Sequence, residues 1–350
     1  MKAEVSLAQR GARNSAGSVR REGSRASVAW RSIVARYQKS DPRRALWQVA
    51  NTYVPYAALW YLMYRSLEIS YWITLALALV AAGFLARIFI VFHDCGHGSF
   101  FQSRAKNDLL GFISGVLTFT PYHYWRHTHA VHHATAGNLD RRGVGDIWTM
   151  TVEEYRHASL WLRLRYRFYR SPVLLFLLGP VCVFLVEQRV GSFKAGWRWQ
   201  QSVQWTNLAI LVLALTLSAV MGFRAYLAIQ LPIISVAAMV GAWLFYVQHQ
   251  FDGVYWERRK DWDYYTMAMK GSSFYKLPKV LQWFSGNIGF HHIHHLSPRI
   301  PNYALERCHR ENPLFQQAKV LSLRESLRTI RYRLWDEKRQ KLVGVGLAWL

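Results

Sequence analysis

The sequence has few cysteines and few acidic residues. It has three cysteines in 350 residues, Cys95, Cys182 and Cys308, and they lie far apart. This excludes a disulfide framework and fits a reducing compartment. Asp and Glu total 20 against 44 Lys and Arg, for a net charge of +24. Nucleic-acid binding is one interpretation of that charge, but no reader motif supports it. Basic loops beside membrane spans explain it better, so no nucleic-acid partner is expected.

A secretory signal is also missing. Residues 1–44 are rich in Arg, Ser, Ala and Gly, and no apolar core follows their basic start. We expect a disordered basic arm here. A plastid or mitochondrial transit peptide has a similar composition, so a targeting role stays open.

Long uncharged runs dominate the rest of the chain. A bilayer core requires about 20 helical residues. Four segments are long enough and nearly free of charge, which predicts four membrane spans at residues 46–64, 71–92, 205–222 and 226–248. Two shorter apolar segments, 109–121 and 172–186, are interfacial or re-entrant candidates, and Gly179-Pro180 breaks the second.

Arginine and lysine are unevenly distributed among the segments that connect the apolar runs. They crowd the arm, the stretch from Arg126 to Arg170 and the segment after residue 256, and they are sparse near 65–70 and 223–225. The positive-inside rule therefore predicts that both termini and the large middle loop are cytoplasmic.

Twelve of the 14 histidines fall in four short segments. On a helix, residues three or four positions apart share a face. This spacing selects eight histidines: His93, His97, His129, His132, His133, His291, His294 and His295. It turns His123, His127 and His292 away from them.

Clustered neutral imidazoles are good ligands for first-row metals. Eight exceed what one tetrahedral ion binds, so two ions of higher coordination number are expected, and nitrogen without thiolate favours iron. The pattern HDCGH differs from the zinc-protease helix because Asp replaces Glu. A zinc transporter would carry its ligands within the spans.

The site also constrains the topology. If all four histidine segments build one site, they lie on one membrane face, so the chain crosses an even number of times between His133 and His249. Of the three apolar segments between them, 172–186 is then the one that does not cross. The same logic makes 109–121 non-crossing.

These motifs resemble the membrane fatty acid desaturases, in particular the acyl-lipid, Δ12-like branch. Three boxes carry the resemblance: His93–His97, His129–His133 and His291–His295. Five flanking stretches add to it: HDCGHGSF, PYHYWRHTHAVHHA, GDIWTMTVEEY, FYVQHQFDGVYW and GNIGFHHIHHLSPRIPNY.

The resemblance covers about residues 45–310. It implies an all-α integral membrane domain over 45–310, with a cytoplasmic helical cap holding a di-iron site, and a cytoplasmic tail at 311–350. It also implies that His249 is a ninth ligand. Where a related branch has an asparagine four residues before that histidine, this chain has Phe245. Asn287 is a candidate further ligand or water-holding residue, and it would share a face with His291 if both were helical.

The implied activity is O₂-dependent formation of a cis double bond in a lipid-linked acyl chain by two iron ions. Asp94, Asp146 and Asp252 are candidates to orient the imidazoles, or else are surface carboxylates or helix caps. Electrons would come from an external carrier such as a ferredoxin, or cytochrome b5 with its reductase. Two alternatives stay open: a hydroxylase or acetylenase on the same scaffold, and a non-catalytic membrane metal-binding protein.

Overall fold

The computed structural model describes residues 30–191 and 196–346. Residues 1–29 of the arm expected to be disordered lie outside this range, as do the tail residues 347–350. Residues 30–44 are described and folded. Residues 30–35 are helical, and Trp30, Val34 and Tyr37 are buried in a core that includes Leu305 and Phe315.

The described chain is mainly helical, as expected. After the helical residues 30–35, the helices in chain order are α1 (Pro42–Ser66), α2 (Tyr71–His97), α3 (Arg104–Leu117), α4 (Tyr122–Thr135), α5 (Val152–His157), α6 (Leu160–Tyr169), α7 (Leu174–Val190), α8 (Trp197–Met221), α9 (Phe223–His249), α10 (Tyr264–Lys270), α11 (Lys279–Phe284), α12 (His291–Leu296), α13 (Asn302–Glu311) and α14 (Leu323–Arg328). Two 3₁₀ turns span Pro313–Gln317 and Thr329–Arg331.

Five short strands form two small sheets. They are β1 (Met150–Thr151), β2 (Phe274–Lys276), β3 (Val320–Ser322), β4 (Leu334–Asp336) and β5 (Lys341–Val343). β4 pairs in parallel with β1 and antiparallel with β5, and β2 pairs in parallel with β3. The segment expected to be a tail therefore supplies three strands that pair within the folded domain.

Three described helices, α2, α8 and α9, are long and apolar enough to cross a bilayer. Helix α1 has 25 residues, but Tyr, Trp, Asn and Gln lower its hydropathy. Helices α6 and α7 are apolar enough only when taken together, and a bend of 54° separates them, as in a broken span or a re-entrant segment. The described residues thus hold three candidate spans, or four with the bent pair.

Local sequence explains how the helices nearest the site begin and end. Asp41 caps α1 by accepting hydrogen bonds from the backbone of Arg43 and Arg44, and Pro42 occupies the first turn. Gly98 ends α2 in the left-handed conformation that glycine tolerates best. Phe119, with a φ of 56°, begins the turn from α3 into α4. The apolar segment 109–121 thus consists of the end of α3, through Leu117, and this turn.

Helix α2 lies at the centre of the helix packing, against α1, α3 and α9. Its buried Ala78, Ala81, Leu85 and Ile88 meet Ile233 and other apolar residues of α9. This packing fixes the ends of α2 and α9 beside each other, and both ends carry histidines.

Candidate metal centre

Four elements supply the histidines of the centre. The last turns of α2 carry His93 and His97, and α9 ends at His249. Helix α4 presents His129, His132 and His133, and the short helix α12 presents His291, His294 and His295.

Helix α4 is held against α2 and α3 at its first turn. The Tyr122 hydroxyl donates to the Cys95 carbonyl at 2.8 Å and contacts Asp108 Oδ1 at 3.1 Å. Arg126 forms an ion pair with Asp108 at 3.2 Å. The Tyr122 ring lies where a side chain at Gly111 would be, so a glycine is required there. Trp125, one turn before His129, stacks on its ring with centroids 4.3 Å apart. These contacts set the direction of the histidine face.

The nine predicted ligands come together in two adjoining groups. His93, His97, His129, His133 and His294 each offer a nitrogen, and these nitrogens lie within 4.8 Å of one another. His132, His249 and His295 form a second such group. His291 joins it through Nε2 atoms 2.9 Å from His249 and 3.2 Å from His295. The groups meet where the rings of His133 and His295 stack, with centroids 4.3 Å apart.

The spacing of the nitrogens fits metal ligation. Within the two groups, five pairs of Nε2 atoms lie 2.9 to 3.3 Å apart. Two nitrogens at right angles on a first-row ion, each about 2.1 Å from it, are about 3.0 Å apart. His97 Nε2 is buried without a hydrogen-bond partner. A donor set of imidazoles alone, with an orphaned nitrogen among them, suits two nitrogen-preferring ions.

Several imidazoles are oriented through Nδ1. His132 Nδ1 lies 2.8 Å from Asp146 Oδ1, and His249 Nδ1 lies 3.2 Å from the Gly271 carbonyl. An N–H held on Nδ1 leaves the Nε2 lone pair free for a metal.

Asp94 adds a third anchor. Its Oδ1 lies 3.3 Å from His93 Nδ1, and its Oδ2 accepts from the backbone and side-chain nitrogens of Asn302 at 2.6 and 2.9 Å. It therefore links the first histidine pair to the start of α13, just beyond the third histidine group.

Two other sequence candidates lie differently from expectation. Asn287 is not helical: its φ is 59°, so the helical alignment with His291 does not form. Its amide accepts from Gln282 and donates to the Asn302 carbonyl. Asp252 is exposed on the surface, where its charge acts on Tyr332 rather than on a histidine of the centre.

The three histidines turned away by helical periodicity lie outside both groups. His123 is exposed, and His127 stacks on Trp199 with centroids 4.5 Å apart. His292 is buried and contacts His309 across 3.3 Å.

Burial favours the neutral form of several of these imidazoles. It lowers the pKa of His129 and His133 in α4 well below the usual range, and the neighbouring imidazoles lower it further. The pKa values of His291, His294 and His295 in α12 are lowered for the same reasons. Neutral imidazole is the form that binds metal.

A cavity of about 960 Å³ opens beside the cluster, and His93, His129 and His291 form part of its wall. Helices α2, α7 and α9 supply mostly apolar side chains to it. They include Leu85, Phe89, Leu174, Phe176, Val183, Phe184, Ile234, Ala238, Leu244 and Phe245. The site is therefore open to a long apolar molecule.

Sequence reasoning missed several of these contributors. Trp125 was within reach, since it lies four residues before His129 on the same helical face. The sequence around Asn302 and Gly271 does not indicate that they contact Asp94 and His249. The sequence predicts α7 only as a non-crossing segment. In the structure it supplies one wall of the cavity, through two π-helical turns at Leu174–Leu178 and Val183–Glu187.

Comparison with known proteins agrees with this geometry. A fatty acid desaturase family profile matches residues 69–325, which include both histidine groups. A Bacillus subtilis (strain 168) protein named fatty acid desaturase is 47% identical over 311 residues, covering 89% of this chain and 88% of that protein.

Two Synechocystis proteins are more distant relatives. One, named sn-1 oleoyl-lipid 12-desaturase, is 28% identical over 303 residues, covering 81% of this chain and 76% of its own length. The other, named sn-1 acyl-lipid omega-3 desaturase (ferredoxin), is 29% identical over 236 residues. That alignment covers 63% of this chain and 62% of the relative. The family profile spans most of the chain and the Bacillus relative nearly all of it, which confirms the resemblance seen in the histidine boxes: the chain belongs to the fatty acid desaturase family.

Proposed function

We propose that this protein introduces a cis double bond into the acyl chain of a membrane lipid, using O₂ and two iron ions held by nine histidines. The observation that carries the proposal is the pair of adjoining imidazole groups at the wall of an apolar cavity of about 960 Å³. Such a cavity lies within the range of ligand pockets in proteins.

The proposed ligands are His93, His97, His129, His133 and His294 in one group and His132, His249, His291 and His295 in the other. Two iron ions bound there would supply O₂ activation: with two electrons and two protons, O₂ becomes two water molecules while two adjacent methylenes lose one hydrogen each. The chain's own part is binding, orientation and exclusion of side reactions. Asp146 and the Gly271 carbonyl hold His132 and His249 by Nδ1, and Asp94 contacts Nδ1 of His93. The apolar walls bind the acyl chain and exclude water from the reacting carbons.

We further propose four membrane crossings, by α1, α2, α8 and α9, with α3 and α7 as interfacial or re-entrant segments that do not cross. Both termini and the metal centre are then cytoplasmic. The distribution of Arg and Lys and the even crossing number between His133 and His249 support this topology. Residues 45–310 would form the membrane domain. Residues 311–350 would be a cytoplasmic extension whose strands pair within that domain, and the first 44 residues would be a basic arm whose last part, from residue 30, folds against it.

The substrate and donor follow from the surroundings of the site. One relative is named as an oleoyl-lipid desaturase and another as an acyl-lipid desaturase with ferredoxin in its name. A cavity walled by membrane helices suits an acyl chain that enters from the bilayer. An acidic electron carrier, a ferredoxin or cytochrome b5 with its reductase, would be attracted by a chain with a net charge of +24.

Fatty acid analysis of a host expressing the chain tests the proposal. We expect new unsaturated methyl esters, and their loss with His132→Ala or His294→Ala. His123→Ala is the matched control on α4, since His123 is exposed and outside both groups. Product that survives the His294 change would contradict the proposal, as would iron-loaded, reduced protein that forms none.

The same ester analysis, together with the metal content of the purified protein, separates the alternatives. Hydroxylated or acetylenic esters would identify a hydroxylase or acetylenase on this scaffold. A purified protein without iron that binds zinc tightly, and makes no product with reductant and O₂, would identify a metal-binding protein. Iron near two ions per chain, together with reductant-dependent product, excludes that second alternative.

A further inference from the structure

Gly241 lies in the interior of α9 and is unlike the other helical glycines. Gly83, Gly96, Gly111, Gly115 and Gly179 each have a neighbouring atom within 3.0 Å of the place where a side chain would begin. Packing therefore accounts for the first four, and at Gly179 the space is taken by the Leu174 carbonyl of the preceding π-helical turn. At Gly241 nothing lies within 4 Å of that place.

A glycine in a helix interior is less stable than an alanine, so it usually has a compensating reason. In membrane helices the common reason is the close approach of another helix. No such approach occurs here, and the φ of Gly241 is not among the positive values of the described residues. Gly241 faces the cavity instead.

The neighbours of Gly241 show what the space is for. Ile234, Ala237, Ala238, Gly241, Ala242 and Phe245 follow the helical period along α9 and all line the cavity. At 1.5 Å per residue, Gly241 lies about 12 Å from His249 along the axis, and Ile234 about 10 Å further. The cavity therefore continues past Gly241, away from the metal centre.

We infer that Gly241 is a specificity-determining residue: its missing side chain admits the part of the acyl chain that extends beyond the irons. This inference rests on the proposed desaturase function. A side chain at 241 would project into the path of the acyl chain. It would penalise long chains, which must pass this point, more than short ones.

Chain-length selectivity tests the inference. The host is supplied with equal amounts of saturated and monounsaturated C14, C16 and C18 acids, and the conversion of each length is measured for wild type, Gly241→Ala, Gly241→Val and Gly241→Leu. One methylene in an apolar pocket changes selectivity by roughly tenfold or more. We expect the ratio of short-chain to long-chain conversion to rise stepwise by about that factor, from Ala to Leu. Val240→Leu is the matched control, because Val240 is 41% exposed and does not line the cavity.

Stability provides a second readout if the larger variants fold poorly. Gly241→Ala adds a better helix former where space is free, so its melting temperature should equal or exceed that of wild type. A lower melting temperature would mean that Gly241 has a packing role, and an unchanged length profile in Gly241→Ala and Gly241→Val would overturn the inference. Absence of any product from wild type would instead count against the proposed function.

Discussion

At the scale of single residues, the metal centre depends on which nitrogen of each imidazole carries the proton. Asp146 fixes this for His132, with Oδ1 2.8 Å from Nδ1. The other oxygen, Oδ2, is buried and has no protein partner. The Asp146 carboxylate therefore acts on the centre through His132 without being a ligand.

Asp146→Asn should weaken metal binding. An amide in place of the carboxylate loses the negative charge that faces Nδ1 of His132, and loss of such a partner typically reduces metal affinity by about 10- to 100-fold. Competition between the purified protein and a chelator for iron(II) measures the change. Asp252→Asn is the control, since Asp252 is exposed and away from the histidines. Equal affinity in the two variants would refute the role of Asp146.

The residues that sequence predicted well are those whose relations are local. Helical spacing separates the histidines that converge in the two groups from His123, His127 and His292. Asn287 shows the limit of that logic, because the turn that precedes α12 breaks the periodicity the prediction assumed. The Asp94–Asn302 contact joins residues from distant parts of the chain, and the sequence near either residue gives no indication of it.

At the scale of elements, Arg170 joins three segments behind the metal centre. It follows α6, is only 1% exposed, and donates to Gln250 at the end of α9 at 3.0 Å. It also donates to Thr149 Oγ1 at 3.3 Å and to the carbonyl of Tyr332, just before β4, at 2.7 Å. One guanidinium thus ties the β1 region, α9 and the C-terminal strands together.

Arg170→Met should destabilise the fold rather than alter the chemistry directly. Methionine keeps much of the apolar stem but leaves several buried oxygens without a donor, at a cost of at least about 2 kcal/mol. We expect the melting temperature of detergent-solubilised protein to fall by several degrees. Arg339→Met, at an exposed position of the same C-terminal segment, should leave it unchanged. A drop of equal size in both variants would argue against this assignment.

Helices and strands were not equally predictable. The cores of α2, α8 and α9 follow from uncharged apolar runs. The two small sheets do not, because strands of two or three residues have too little periodicity to detect. The partners of β1 and β2 also lie far along the chain, at β4 and β3.

At the scale of the whole molecule, apolar runs and charge distribution predict a helical membrane protein, and the spacing of the histidines predicts the metal centre. The number of crossings is less determined, because hydropathy alone selects three helices and one bent pair. The proposed topology resolves this by requiring all histidine segments to share one face.

Cysteine labelling tests that topology. In a variant without Cys182, the exposed native cysteine, a new cysteine replaces Glu68 between α1 and α2, Arg224 near the start of α9, or Lys338 between β4 and β5. We expect a membrane-impermeant maleimide to label the first two in intact cells and the third only after permeabilisation. Labelling of Glu68→Cys and Lys338→Cys from the same side would rule out the topology.

The two histidine groups also dictate an order of assembly during synthesis. His93 and His97 are made early, yet His294 of the same group is separated from them by α8 and α9. Every candidate membrane helix is therefore synthesised before either group is complete. A nascent chain presents the early imidazoles but not the complete set of nitrogens, so the iron ions proposed for this site would enter only after the helices have been made. A cell short of iron would accordingly accumulate inserted, empty protein that later supply can load without new translation.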